Sequence, residues 1–175
     1  IKCSEECLPT LIRDTVNLHM SYATQYKVEV LIEDPLPRTK VTVDASRAIQ
    51  VLTNFLSNAV KFSEAGGTVF VRAVVRDGYA RVSVVDAGPG IPKDKQGLLF
   101  KKFGMIDTSD SRNTRGTGLG LAISRELAEG MDGNVGLISE EGKGSEFWVD
   151  FRIPEKLETL KFGCQRGDPA TKSVS

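Results

Sequence analysis

The sequence predicts an α+β chain, a two-layer α/β sandwich whose mixed, mostly antiparallel sheet is covered on one face by about three helices. Three observations lead there. Helical periodicity and β-branched runs alternate in the order helix, two strands, helix, hairpin, long irregular stretch, helix, hairpin. The later strands come in pairs joined by tight turns instead of crossovers, so neighbours are antiparallel. The helices carry an apolar face that needs a sheet to cover. With 175 residues and 40% hydrophobic content, the chain can bury one good core, and a single domain is expected.

The first helix is read from Leu8 to Tyr26, where Leu8, Leu11, Ile12, Val16, Tyr22 and Tyr26 recur at three and four. Pro9 suits its first turn. His19, the only histidine, falls within that apolar stripe and reads as a packed side chain, not a ligand or nucleophile. Val28–Ile32 alternates as a strand and Asp34-Pro35-Leu36-Pro37 breaks it. Val41-Thr42-Val43 is a second short strand, and Asp44 can cap the helix that follows. In that helix, Ala45 to about Phe62, the residues Ile49, Leu52, Phe55, Leu56, Ala59 and Val60 share one side. Arg47, Gln50, Asn54, Asn58 and Lys61 gather on the other. Thr68–Arg76 and Tyr79–Asp86 are strands separated only by Asp77-Gly78, a type I′ hairpin signal. Between Gly88 and Thr117 the pattern is irregular apart from a short helical piece near Lys95–Phe103. Loops of that length in a compact domain are functional or mobile. A helix from Leu119 to about Gly130 and a hairpin of Val135–Ser139 with Ser145–Ile153 complete the order. After Pro154 a polar tail follows, read as linker or disordered.

Charge and composition exclude several classes. Lys plus Arg and Asp plus Glu both number 23, which argues against nucleic-acid binding through a broad basic surface. No apolar run reaches membrane-spanning length and no signal segment opens the chain, so no direct membrane contact and a cytoplasmic location are expected. Cys3, Cys7 and Cys164 lack metal-ligand spacing and read as free thiols.

Three segments carry chemistry. Gly116-Thr117-Gly118-Leu119-Gly120-Leu121 places glycines at alternate positions before a helix, where unpaired N–H groups and the helix dipole favour an anion. It is either a phosphate cradle or a tight turn, and it fits neither the Rossmann nor the Walker spacing. Asn54, Asn58 and Lys61 at i, i+4 and i+7 point one way. Asparagine costs about 0.5 kcal/mol against alanine inside a helix, so a merely solvated face would more cheaply use other residues. An amide oxygen suits Mg²⁺ bridged to phosphates, and a lysine one turn on can neutralise them. Asp86-Ala87-Gly88-Pro89-Gly90-Ile91 ends a strand on a carboxylate that either caps its own turn or accepts a hydrogen bond from an exocyclic amine such as that of adenine.

Together these segments resemble the ATP-binding catalytic domain of sensor histidine kinases, in the superfamily of gyrase, heat-shock chaperone and mismatch-repair ATPases with the Bergerat-type fold. Gln50–Phe62 looks like the family's N box, Asp86–Ile91 its first glycine box, Phe100 and Phe103 the paired aromatics of the lid, and Gly116–Leu121 its second glycine box. Gly142-Lys143-Gly144-Ser145-Glu146-Phe147 resembles the closing glycine–serine hairpin. The resemblance covers about Leu8 to Pro154 and implies a mobile ATP lid and a site for ATP and Mg²⁺. It implies Mg²⁺ coordination by Asn58, phosphate contacts by Asn54 and Lys61, and adenine recognition by Asp86. Phe62 would line the cleft, and Gly88, Gly90 and Ile91 would shape the base pocket. Phe100 and Phe103 would anchor the lid, and Gly116, Thr117, Gly118, Leu119, Gly120 and Leu121 would close on the phosphates.

Hydrolysing members of the superfamily place a glutamate one turn before the Mg²⁺ asparagine; here that position is Asn54, and a neutral amide is no general base near pH 7. Transfer to an external nucleophile is therefore expected. The resemblance makes that nucleophile a histidine on a dimerisation and histidine phosphotransfer domain of the same parent protein, with a response regulator receiver domain downstream. His19 lacks the adjacent acidic residue of the usual phosphoacceptor motif, so the chain is not expected to autophosphorylate. Residues 1–7 are expected as a linker from that missing segment, 8–154 as the ATP-binding catalytic domain, and 155–175 as tail or linker. Two alternatives stay open: a serine/threonine kinase of the anti-sigma-factor type, and a nucleotide-binding regulatory module without catalysis.

Overall fold

The computed structural model describes residues 1–102 and 119–155. In chain order the elements are β1 (Ser4–Cys7), α1 (Leu8–Gln25), β2 (Glu29–Ile32), β3 (Lys40–Val43), α2 (Ala45–Phe62) and β4 (Thr68–Arg76). There follow β5 (Tyr79–Asp86), α3 (Lys93–Gln96), α4 (Gly120–Gly130), β6 (Asn134–Glu140) and β7 (Gly144–Arg152). The main sheet has the order β2-β4-β5-β7-β6. β2 runs parallel to β4 and the other neighbours are antiparallel. The expected two-layer sandwich is the observed one.

Alternation decides which face is covered. Val30, Val69, Val71, Val82, Val84, Phe147 and Val149 are buried, whereas Leu31, Phe70, Val74 and Ile138 on the opposite face are exposed. α1, α2 and α4 pack on the buried side. The open side meets water with paired charges. Arg81 donates to Asp150 at 2.7 and 2.9 Å while lying 3.6 Å over the Trp148 ring, and Arg72 donates to Glu146 at 2.8 Å.

α2 is the central helix. Its N-cap Asp44 accepts a hydrogen bond from the Arg47 N–H. Ala48, Val51, Leu52, Phe55, Leu56, Ala59 and Val60 are all buried, and side chains such as Leu52 and Phe55 each contribute about 1.5–3 kcal/mol when removed from water. The expected stripe began at Ile49 and omitted Ala48 and Val51. The buried arc is wider because α2 touches α1 on one side, α4 on the other and the sheet beneath. The β4–β5 turn is as expected, with Asp77 and Gly78 at φ 53° and 79°.

Three expectations need correction. The stretch 1–7, read as linker, contains β1, which pairs antiparallel with β3 from Ser4 opposite Val43 to Cys7 opposite Lys40. β3 thereby forms a separate two-stranded ribbon outside the main sheet. The helical piece expected near Lys95–Phe103 begins earlier, as α3, and continues as hydrogen-bonded turns from Lys95 to Lys101. Cys3 is a free thiol, but Cys7 is disulfide-bonded; sequence spacing carries no information on how closely distant thiols approach. Among the described residues no helix is long and apolar enough to cross a membrane. The expectations for Phe103, Gly116, Thr117, Gly118 and the tail from residue 156 fall outside the described residues.

Candidate functional site

α2 works as a ruler along which the candidate residues are set out. At one level Asn54 Nδ2 donates to Gly120 O at 3.0 Å and to Ser124 Oγ at 2.9 Å. A carbonyl only accepts, so the group facing Gly120 is the NH₂ end of the amide. This joins the N-box face of α2 to the first turn of α4. Leu119 is the N-cap of α4, and Leu121 packs into the core. Two turns further on, the end of α2 meets the loop after β5. A Cβ on Gly88 would lie 2.7 Å from Phe62 O and 3.0 Å from Asp86 Oδ1, so only glycine lets this loop pass so close to the helix end. Asn58 and Lys61 lie between these two levels. Both are half-buried and make no side-chain hydrogen bond or ion pair among the described residues. From Asn54 to Phe62 is eight residues, or about 12 Å of helix.

Asp86 is the buried charge of the site, at 5% exposure. Burial pushes its carboxyl above the ordinary value, and the N–H groups of Gly88, at 2.9 Å, and Ser145 pull it partly back. Those bonds hold the carboxylate at the end of β5 in a fixed orientation. Gly90 takes φ +70°, and a Cβ there would lie 2.1 Å from Glu140 O, so this glycine is required by both conformation and space. Ile91 packs on the core edge and donates its N–H to Ser139 Oγ at 2.8 Å. A cleft of about 300 Å³, lined by residues from Ser63 to Thr68 and by Ala87, opens beside the Asp86 loop. Phe62, 41% exposed, stands at the same end of α2.

Phe100 is packed at the edge of the core. It meets Phe147 edge-on at 6.4 Å, Phe147 in turn contacts Phe55 of α2 at 5.7 Å, and the Arg125 guanidinium lies 5.3 Å over the Phe100 ring. The structure thus gathers Asn54, Gly120 and Leu119 at the middle of α2 and Phe62, Asp86, Gly88 and Gly90 at its C-terminal end. Sequence reasoning missed Ser124, Ser139, Gln96 and the role of Ser145, all of which bind these segments to one another. The one available signal was a serine at a core position of an otherwise apolar helix face: Ser124 is fully buried.

Among the described residues no three His, Cys, Asp or Glu side chains gather as a metal cluster. The donor available at the centre of the site is the Asn58 amide oxygen, a hard ligand beside a cation. That fits Mg²⁺, which keeps most of its waters and is held by few protein ligands together with phosphate oxygens.

Known proteins share this sequence pattern and fold. Residues 43–156 match the family model of histidine kinase-, DNA gyrase B- and HSP90-like ATPases. The chain is 37% identical over 158 residues to the sensor protein GacS of Pseudomonas syringae pv. syringae, covering 86% of this chain and 17% of GacS. It is 40% identical over 152 residues to the circadian input-output histidine kinase CikA of Synechococcus elongatus, covering 85% of this chain and 20% of CikA. The chain therefore spans about a fifth of the length of these curated relatives. Among solved structures, the catalytic domain of histidine kinase ThkA superposes with a TM-score of 0.75 at 27% identity, covering 87% of this chain and 97% of that one. Full-length ShkA in complex with AMPPNP superposes at 0.73 with 35% identity, covering 88% of this chain and 32% of that one. With the family model covering most of the chain, the chain belongs to the histidine kinase-, DNA gyrase B- and HSP90-like ATPase family.

Proposed function

We propose that this chain is the Mg-ATP-binding catalytic domain of a sensor histidine kinase, and that it passes the γ-phosphate to a histidine on a separate dimerisation domain of its parent protein. The observation that carries the reading is the span of α2. The C-terminal end of α2 touches the loop that presents a buried carboxylate, and its middle, at Asn54, touches the first turn of α4 at Gly120. The interval of about 12 Å suits an extended nucleoside triphosphate. Asp86 accepts the adenine amine, a position at which guanine would present an oxygen and be repelled. Lys61 neutralises phosphate charge and Asn58 holds the metal with phosphate oxygens. Bound Mg²⁺ supplies charge neutralisation at the phosphates. The acceptor imidazole nitrogen bonds to the γ-phosphorus as the bond to the bridging oxygen breaks, and ADP leaves. Asn54 cannot take a proton from water, which favours transfer over hydrolysis. A receiver domain downstream and a cytoplasmic location for the domain complete the reading.

The experiment is titration calorimetry of ATP and GTP, with and without Mg²⁺, into the wild-type chain and Asp86→Asn. A hydrogen bond to a charged acceptor is worth about 1.5–3 kcal/mol. Asp86→Asn is therefore expected to weaken ATP binding by roughly 10- to 150-fold and to reduce the preference over GTP. Equal affinity of the two proteins for ATP would remove the adenine assignment.

A further inference from the structure

Asp86 of β5, Ser145 of β7 and Ser139 of β6 are register partners across three strands. They form the polar row that follows the apolar row Val84, Phe147 and Leu137 on the same sheet. A hydroxyl has one proton and two lone pairs, and Ser139 commits all three. It donates to Gly144 O at 2.9 Å, accepts from the Ile91 N–H at 2.8 Å, and lies 2.8 Å from Ser145 Oγ, which can supply the remaining proton. Gln96 of α3 grips the same loop from the other side. Its NH₂ donates to Ile91 O at 2.8 Å and to Ser139 O at 3.0 Å. Ile91 is thus held at both its N–H and its carbonyl by side chains from two other elements. The Gly142 N–H adds a tie to Pro89 O at 2.7 Å.

We propose that Ser139 and Gln96 are positioning residues for the base of the bound nucleotide, holding the loop 86–91 against the β6–β7 hairpin so that Asp86 meets an adenine amine at a fixed place. The inference rests on the reading of Asp86 as the base acceptor. Neither residue touches the Asp86 carboxylate itself. Ser139 acts through Ser145, whose N–H bonds to Asp86, and through Ile91. Gln96 makes that placement depend on α3, the helix at which the irregular segment after β5 begins.

The test is calorimetry of Mg-ATP binding from about pH 8 to about pH 5, run beside thermal unfolding. The proteins are the wild type, Ser139→Ala, Ser139→Thr, Gln96→Ala and Gln96→Glu. Ser139→Ala is expected to weaken binding about tenfold, in line with losing more than one hydrogen bond, and Ser139→Thr to restore it. Gln96→Glu sets a carboxylate against two carbonyl oxygens. Its affinity relative to wild type should fall more than about tenfold at the upper pH and recover as that carboxyl gains a proton. Gln96→Ala should show a fixed loss. The charged groups on the elements around position 96 are Lys93, Asp94 and Lys95 of α3, Glu140, Glu141 and Lys143 of the hairpin, and Asp86 of the loop. All are present in every variant, so the ratio to wild type isolates position 96. If the wild type binds ATP while Ser139→Ala and Gln96→Glu stay within about twofold of it at every pH, the inference is overturned. A Gln96→Glu deficit that ignores pH and merely follows a drop in Tm overturns it equally. A wild type that binds no adenine nucleotide would instead bring down the reading of Asp86, and this inference with it.

Discussion

The bond between Asn54 and Ser124 allows a double-mutant cycle whose outcome can be worked out beforehand. Three hydrogen bonds tie this corner: Asn54 to Gly120 O, Asn54 to Ser124 Oγ, and Ser124 Oγ to Gly120 O at 2.8 Å. Asn54→Ala deletes the first two and Ser124→Ala the last two. At about 1 kcal/mol per bond, and with alanine about 0.5 kcal/mol better in a helix, each single change should cost about 1.5 kcal/mol. The double change deletes each bond once and collects both propensity gains, so it should cost about 2 kcal/mol, not the 3 of simple addition. The shared acceptor could reverse this if Gly120 O were left orphaned. It is not, since the Ser124 N–H stands one helical turn on as its ordinary partner. Sub-additivity of about 1 kcal/mol is therefore expected in guanidinium unfolding, with Tm of the double variant lowered by about 4–8 °C for a domain of this size. Additivity within about 0.3 kcal/mol would show that the two side chains do not interact, and would refute the joining of α2 to α4 through this corner.

Two carboxylates give opposite pH signatures. Asp44 is held down to about 2 by the Lys2 N–H, then by the Ser46 hydroxyl and the Arg47 N–H, so its contribution is present above the unfolded value of 3.8 and lost as pH falls through about 2. The Tm gap between wild type and Asp44→Ala should therefore narrow towards that pH, as followed by circular dichroism. Asp86 is shifted upwards by burial, so the stability its neutral form contributes is present below 3.8 and lost as pH rises through the raised value. Asp86→Asn should flatten that limb of the Tm–pH curve in the nucleotide-free protein.

Local chemistry was legible in the sequence and distant pairing was not. Asp77-Gly78 announces its turn because both residues must adopt positive φ, a property of two neighbours alone. The apolar periods of α1, α2 and α4 place those helices for the same reason. Ser4–Cys7 has no such pattern; it becomes a strand because β3, some forty residues later, is available to pair with it. The candidate site divides in the same way. Asn58, Lys61 and Asp86 stand out by residue type and spacing within one helix or strand end. Ser139 and Gln96 do not, because a lone serine in a strand and a lone glutamine in a short helix acquire meaning only from strand register.

Position 54 shows how one residue serves both the fold and the choice of reaction. Polar spacing alone sets Asn54 beside Asn58 and Lys61 as a group for phosphate. The structure turns its NH₂ towards α4, into hydrogen bonds to Gly120 O and Ser124 Oγ, the first of which an anionic side chain could not make. A carboxylate here would place negative charge against that carbonyl and would loosen the contact by which α2 locates α4. The neutral amide thus serves this packing contact, and it cannot act as a general base. The same NH₂ group that ties Gly120 and Ser124 to α2 stands one turn before Asn58, where a base would otherwise be. On the proposed reading, a domain built this way would retain the γ-phosphate until another nucleophile is brought to it.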